Sequence, residues 1–201
     1  MPNAYHEIAF TPAVKALQEA EGSRKLYEKY EASPKRMKTQ LTPPELTYIA
    51  ARDSFYMSSV GETGWPYMQH RGGPAGFIKP LNAQEFGWAE YVGNRQYIST
   101  GNIAQNDRVA LFFIDYASKT RLKLFGHARV IAKDDPLMVQ LGAGADDRQV
   151  ERGMVVRVAS YEWNCPKYIT ERYTRDEIQH AMTQMGARIA ELEALLAAKD
   201  S

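Results

Sequence analysis

Between Phe55 and Trp163 the sequence places strand-like segments one after another, joined by short turns rich in glycine and polar residues. Residues 108–116 form a continuous apolar run with β-branched and aromatic side chains, which indicates a buried strand. Strands that follow one another through short turns pair antiparallel, whereas parallel strands need long crossovers. The sequence therefore predicts an antiparallel barrel or sheet, mostly β with flanking helices, and excludes a fold built from βαβ units.

The other strand predictions rest on alternation and on turn signals such as Gly61-Glu62-Thr63-Gly64. They cover residues 55–60, 66–71, 85–92, 121–132 and 154–163. In residues 121–132 one face of the strand is expected to carry the apolar and small side chains, namely Leu122, Leu124, Gly126, Ala128 and Val130. A short helix is predicted around residues 136–142.

Helices are predicted on both sides of this block. Thr11-Pro12 is a start signal for a helix through residues 14–30, with Gly22-Ser23 as a candidate break. Thr42 and Glu45 fit a capping box that opens a short helix to about Ala51. We therefore divide the chain into a helical segment (1–51), a barrel domain (52–170) and a C-terminal helix (171–201).

The C-terminal helix carries large apolar residues at spacings of 4, 3, 4, 3 and 4, namely Ile178, Met182, Met185, Ile189, Leu192 and Leu196. This spacing forms an a/d seam with Glu, Gln, Arg and Lys around it. Two interpretations stay open: a coiled-coil arm between subunits, or an amphipathic helix that lies on the barrel.

Composition limits the classes of partner. The formal net charge is +1, so a general electrostatic attraction to nucleic acid or to an anionic membrane is not indicated. No apolar run reaches about 18 residues, and the N-terminus lacks the plan of a signal peptide. These features favour a cytoplasmic protein.

Common catalytic and metal-binding motifs are not found. The single cysteine, Cys165, excludes an internal disulfide, and it is interpreted either as a small buried residue or as a reactive thiol. The four histidines lie too far apart for a sequence-local metal motif. No catalytic residue and no metal site are therefore assigned.

Three polar, glycine-marked segments beside apolar runs suggest a site for an anionic, aromatic ligand: residues 69–73, 93–102 and 121–126. A flavin mononucleotide (FMN) needs cations, hydroxyls and free amides for its phosphate and an apolar slot for its ring. In the second segment Arg95 offers charge, Ser99 and Thr100 offer hydroxyls, and Asn94 can cap or donate. The alternative for this segment is a turn followed by a helix cap before Ile103.

The other candidates come from strands. Alternation points Gln69 and Arg71 to one side of their strand and His70 to the other. Arg121 lies on a polar strand face, where a simple solvent-facing surface is the alternative. Trp163 closes the last strand and is a candidate wall for a planar ligand.

At these residues the chain resembles the pyridoxamine 5′-phosphate oxidase-like family of FMN-binding split barrels. Residues 52–56 followed by Gly64-Trp65-Pro66 are similar to the family's opening hairpin. The sequence IAQNDRVALFF at residues 103–113 is similar to its entry into a core strand, and residues 121–130 to the next strand. The order and spacing of these matches carry the resemblance.

The resemblance implies an antiparallel six-stranded split β-barrel that forms a homodimer with FMN at the subunit interface. By position, Gln69, His70 and Arg71 would meet the flavin. The phosphate-side segment would contain Asn94, Arg95, Ser99 and Thr100. Arg121 would reach the ring edge, and Trp163 would be given to the flavin by the partner subunit.

The sequence departs from the true oxidase, which has an arginine-lysine pair where this chain has Ile98-Ser99. The substrate-holding loop after the last strand also differs. The leading prediction is therefore an FMN-dependent oxidoreductase of this family that acts on an unidentified small molecule. The alternatives are a non-catalytic flavin- or haem-binding module, a deazaflavin-dependent reductase, and an assembly protein acting through the C-terminal helix.

Overall fold

The structure is a computed structural model that describes residues 4–31, 38–142, 149–164 and 166–199. The chain forms two compact units. The first contains the N-terminal helices and the strands, and the second contains Asp115–Thr120 and the segment that begins at Pro166. Cys165, for which a buried and a reactive interpretation were both given, lies outside the described residues.

The described residues of the first unit contain an antiparallel sheet of seven strands in the order β2-β1-β5-β6-β7-β4-β3. The strands are β1 (Ser54–Val60), β2 (Pro66–Gly72), β3 (Lys79–Pro80), β4 (Glu85–Tyr91), β5 (Arg108–Asp115), β6 (Thr120–Ala132) and β7 (Val150–Trp163). The predicted antiparallel split barrel is confirmed, with seven strands in place of six. The additional strand, β3, has two residues, which is too short for alternation to reveal.

The helices are α1 (Ala4–Ala9), α2 (Pro12–Ala20), α3 (Arg24–Glu31), α4 (Pro43–Ala50), α5 (Ile98–Gln105), α6 (Leu137–Gln140) and α7 (Arg175–Lys199). Thr11 caps α2, and the chain breaks after α2 at Gly22, whose φ of +74° suits glycine. The capping box of Thr42 and Glu45 opens α4 as predicted. The start of α5 at Ile98 was not predicted, because residues 93–102 were interpreted as a ligand-binding segment or as a turn and helix cap before Ile103.

The main core lies inside the sheet and is rich in aromatic side chains. Phe55 contacts Trp88 edge-on at 5.0 Å between ring centroids and lies 5.1 Å from Phe113. Ile49 of α4 is fully buried in the same cluster, so this helix closes one side of the core. Apolar burial of this kind supplies most of the favourable free energy of folding.

The predicted alternation of β6 holds as far as Ala128 and then fails. Leu122, Leu124 and Ala128 are buried, but Val130 is 37% exposed and Ile131 is 6% exposed. The prediction that Val130 shares the buried face was therefore wrong. Ile131 instead packs into a second, smaller cluster with Met138 of α6.

Helix α7 begins with a capping box. Thr174 N and Oγ1 donate to Glu177 Oε2 (2.7 and 2.8 Å), and Glu177 N donates to Thr174 Oγ1 (3.2 Å). The predicted C-terminal helix is present, and its side chains from 175 to 198 are all exposed. Within the described ranges, no helix is both long and apolar enough to cross a membrane.

Candidate functional site

Two adjoining cavities lie where strands β2 and β4 face each other. The small cavity has a volume of about 200 Å³ and is lined by Gln69, Arg71, Glu90, Glu151 and residues 93–100. The large cavity has a volume of about 500 Å³ and is lined by His70, residues 71–77, Trp88, Glu90 and Leu141, among others. Because Arg71, Glu90 and Tyr91 line both cavities, the two meet at these side chains.

Arg71 and Glu90 form an ion pair between β2 and β4. Arg71 Nη1 lies 2.8 Å from Glu90 Oε1, and the two side chains are 17% and 10% exposed. Arg71 Nε is buried and has no hydrogen-bond partner among the described residues. A buried donor without an acceptor costs free energy, so this N–H is available to a ligand acceptor.

The N-terminus of α5 opens into the small cavity. Its N-cap residue, Tyr97, has a left-handed backbone (φ +54°) and makes no side-chain capping bond. The first N–H groups of a helix have no intrahelical acceptor, and together with the helix dipole they favour an anion. Ser99 and Thr100 stand in this first turn, and the buried Ser99 hydroxyl donates to Gln69 Oε1 at 3.0 Å.

Arg95 lies at the open rim of the small cavity and is 70% exposed. Its Nε donates to the Tyr97 hydroxyl (3.0 Å), which in turn donates to Glu151 Oε1 (3.1 Å). The hydrogen bond to Tyr97 and the nearby charge of Glu151 raise the pKa of the Arg95 guanidinium, which stays protonated. Two arginines thus face two glutamates, and the small cavity has no excess of positive charge.

The large cavity combines an apolar wall with unused donors. Trp88 is buried, and its Nε1 has no hydrogen-bond partner among the described residues. Phe77 packs so closely on Gly73 that a Cβ there would lie 2.8 Å from the Phe77 Cγ atom, so glycine is needed at this position. His70 lines this cavity, whereas Gln69 lines the small one, as the predicted alternation requires.

The structure brings together seven of the predicted site residues along the two cavities: Gln69, His70, Arg71, Asn94, Arg95, Ser99 and Thr100. Arg121 and Trp163 line neither cavity. They lie next to each other across β6 and β7, where Leu122 is the register partner of Trp163. Arg121 Nε is buried without a hydrogen-bond partner among the described residues.

Trp163 has a clear structural role within its own chain. Its Nε1 donates to Glu45 Oε1 at 2.7 Å, and its ring meets Tyr48 edge-on with 4.7 Å between centroids. Both partners belong to α4, so the tryptophan fixes this helix to the end of β7. The side chain is partly buried in this position.

Sequence reasoning missed Trp88, Glu90 and Glu151, which line the cavities from β4 and β7. One signal was present. Glu90 follows Phe86 and Trp88 at a spacing of two residues, so it shares the inward phase of β4 with two buried aromatics. A carboxylate at an inward-facing position of a strand indicates either a buried ion pair or a ligand-binding site. Glu151 gave no comparable signal.

A model of the pyridoxamine 5′-phosphate oxidase family matches residues 41–162 of this chain. Among solved structures, a candidate pyridoxamine 5′-phosphate oxidase from Lactobacillus delbrueckii is 18% identical, with 62% of this chain and 94% of that chain covered and a TM-score of 0.49. A variant of HupZ from Group A Streptococcus is 12% identical, with 62% and 99% covered and a TM-score of 0.50.

HutZ, the haem storage protein from Vibrio cholerae, is 13% identical, with 59% of this chain and 90% of that chain covered and a TM-score of 0.42. No curated protein sequence matches this chain. At such identities the structures speak for the fold alone, whereas the family match spans more than half of the sequence and includes both cavity-bearing strands. The chain belongs to the pyridoxamine 5′-phosphate oxidase family.

Proposed function

We propose that this protein is a homodimeric FMN-binding flavoprotein that acts as an oxidoreductase on a small molecule. The supporting observation is the pair of adjoining cavities. One ends at a helix N-terminus without a side-chain cap, and the other has buried N–H donors that find no acceptor among the described residues. A ligand with an anionic end and a flat ring that carries acceptors matches this pair. The large cavity also lies within the range of about 300–1,000 Å³ that is usual for cofactor sites.

The phosphate would lie in the small cavity, at the N-terminus of α5. The N–H groups of the first helical turn and the Thr100 hydroxyl are the donors there. Arg95 would supply the charge, because its side chain is 70% exposed and its contacts with the Tyr97 hydroxyl (3.0 Å) and with Glu151 (3.9 Å) are surface contacts that an anion can replace. Asn94 lies on the same rim.

The flavin ring would occupy the large cavity. Arg71 Nε and Trp88 Nε1 are the donors for its nitrogen and oxygen edge, and His70 and Phe77 line the same space. Gln69 is held by Ser99 at the small cavity, so it would serve the ribityl chain. Bound flavin would supply the hydride or electron transfer, while these residues bind and orient it.

Arg121 and Trp163 would act on the flavin of the partner subunit, because neither lines the cavities of its own chain. In the part of the chain that the structure describes, the buried Nε of Arg121 has no acceptor, which is the property that Arg71 and Trp88 share. In this proposal the cofactor would lie at the subunit interface, and the functional unit would be a homodimer.

The test is the absorption spectrum of the purified protein, followed by titration with FMN and with riboflavin. We expect flavin bands that bleach on reduction, and much tighter binding of FMN than of riboflavin, because only FMN has the phosphate. A colourless protein that FMN does not reconstitute would overturn the proposal. A Soret band would identify a haem-binding module, and mass spectrometry of the released cofactor would identify a deazaflavin.

A further inference from the structure

Helix α7 exposes a continuous stripe of large apolar side chains. The six residues of the seam are between 43% and 65% exposed: Ile178, Met182, Met185, Ile189, Leu192 and Leu196. A helix of 25 residues is about 37 Å long, so this stripe extends over most of its length. Helices in proteins gain most of their stability from the packing of an apolar face, so an apolar stripe of this kind is normally covered.

From this stripe we infer that α7 pairs with α7 of a second copy of the chain as a parallel, in-register coiled coil. The spacing of 4, 3, 4, 3 and 4 residues is the heptad seam of a two-stranded coiled coil, and Leu195, which is also exposed, lies beside this seam at a g position. Met182, Ile189 and Leu196 take the a positions, and Ile178, Met185 and Leu192 take the d positions. A seam of this kind is self-complementary, so a second copy fits it.

Charge selects the parallel orientation. In a parallel pair a residue at position g faces the e position of the following heptad in the partner. Arg188 stands at g and Glu193 at e, five residues later, so opposite charges meet on both sides of the seam. If the two helices ran antiparallel with all six seam residues of each helix in contact, Arg188 would instead face Arg188 of the partner subunit.

Arg188 also forms an ion pair within its own helix, and this ion pair is compatible with the parallel coiled coil. Arg188 Nη1 lies 2.6 Å from Glu191 Oε2 within the same helix, and the two side chains are 61% and 58% exposed. Exposed ion pairs of this type contribute little to stability. The guanidinium is therefore free to contact Glu193 of the partner subunit as well.

Cysteine crosslinking in the full chain tests the inference, and it does so independently of cofactor binding. In a Cys165→Ser background, Leu192→Cys places thiols at facing d positions, and Ala194→Cys places them at the outer f position of the same heptad. We expect at least about tenfold more disulfide-linked dimer for Leu192→Cys, since only facing d positions approach within disulfide range.

A charge exchange then tests the orientation. Arg188→Glu in the Leu192→Cys chain should lower the linked fraction several-fold, and Arg188→Glu with Glu193→Arg should restore it. If Arg188→Glu acted only through the contact with Glu191 in the same helix, the added Glu193→Arg would not restore the linked fraction. The reason is that residues 188 and 193 do not contact each other within one helix. Equal crosslinking at positions 192 and 194 would overturn the coiled coil. Linkage only in a mixture of Met182→Cys and Leu192→Cys chains would overturn the parallel orientation.

Discussion

Arg95 is the residue on which phosphate recognition depends in the proposed site. Arg95→Ala removes a charge-assisted bond to the phosphate, so FMN should bind roughly 10- to 100-fold more weakly. Riboflavin binding should hardly change. Arg129→Ala is a matched control, because Arg129 is a partly exposed arginine paired with Glu85 (2.8 Å) and lines neither cavity. If Arg95→Ala kept full FMN affinity, the phosphate would have to lie elsewhere.

Glu45 links α4 to Trp163, and this link makes stability depend on pH. Burial raises the pKa of the Glu45 carboxyl, but hydrogen bonds from Thr42 and Trp163 lower it more, so it lies below the ordinary value of 4.5. A depressed folded-state pKa stabilises the protein above the unfolded-state pKa, and this contribution is lost as the pH falls through the folded-state value.

Glu45→Gln should therefore lower the free energy of unfolding at neutral pH by about 1–3 kcal/mol, because the bonds to a charged acceptor are weakened. The difference from the wild type should begin to shrink as the pH falls below 4.5 and should vanish below the depressed folded-state pKa of Glu45, where the wild-type carboxyl is protonated too. Chemical denaturation across this range measures both effects. Glu62→Gln, in the exposed turn after β1, is the control. It should change neither the free energy of unfolding at neutral pH nor its dependence on pH. A difference that persists at acid pH would contradict the role assigned to the charge.

At the scale of elements, local patterns predicted strands far better than the helix that forms the site. β5 and β6 were predicted within one residue of their observed ends, since buried runs and alternation are local signals. The start of α5 was missed because Arg95 and Tyr97 adopt left-handed backbones, which residues of these types rarely do. Their conformation is imposed by contacts with β7, such as the bond from Tyr97 to Glu151.

The N-terminus of α5 can be tested as an anion site. Thr100→Asp places a carboxylate in the first turn, which should stabilise the ligand-free protein by about 0.3–1 kcal/mol through the helix dipole. The same carboxylate should repel the phosphate and weaken FMN binding at least about tenfold. Thr100→Asn is the neutral control, with a smaller effect on both measurements. If Thr100→Asp bound FMN normally, this helix end would not hold the phosphate.

At the scale of the whole molecule, the sequence located the parts of the site but not their assembly. Gln69, Arg71 and residues 93–100 were predicted from separate segments, and the folding of the sheet brings them to the small cavity. The balancing carboxylate Glu151 comes from β7, which is distant in sequence from both segments, so its arrival depends on topology rather than on a local pattern. Arg121 and Trp163 stay away from the cavities because β4 pairs only with residues 150–157 of β7, whereas these two residues lie at the other end of the β6–β7 pair.

Because Arg121 lies away from the cavities of its own chain, mixed dimers can test whether two subunits share one flavin site. If Arg95 and Arg121 of opposite subunits serve one flavin, Arg95→Ala and Arg121→Ala homodimers should both bind FMN poorly. A heterodimer of the two variants, isolated with two different affinity tags, would have one doubly defective site and one intact site. We therefore expect half of its sites to bind FMN with wild-type affinity, as measured by flavin fluorescence titration. If both arginines instead served the flavin of their own chain, every site of the heterodimer would lack one of them and no tight binding would return.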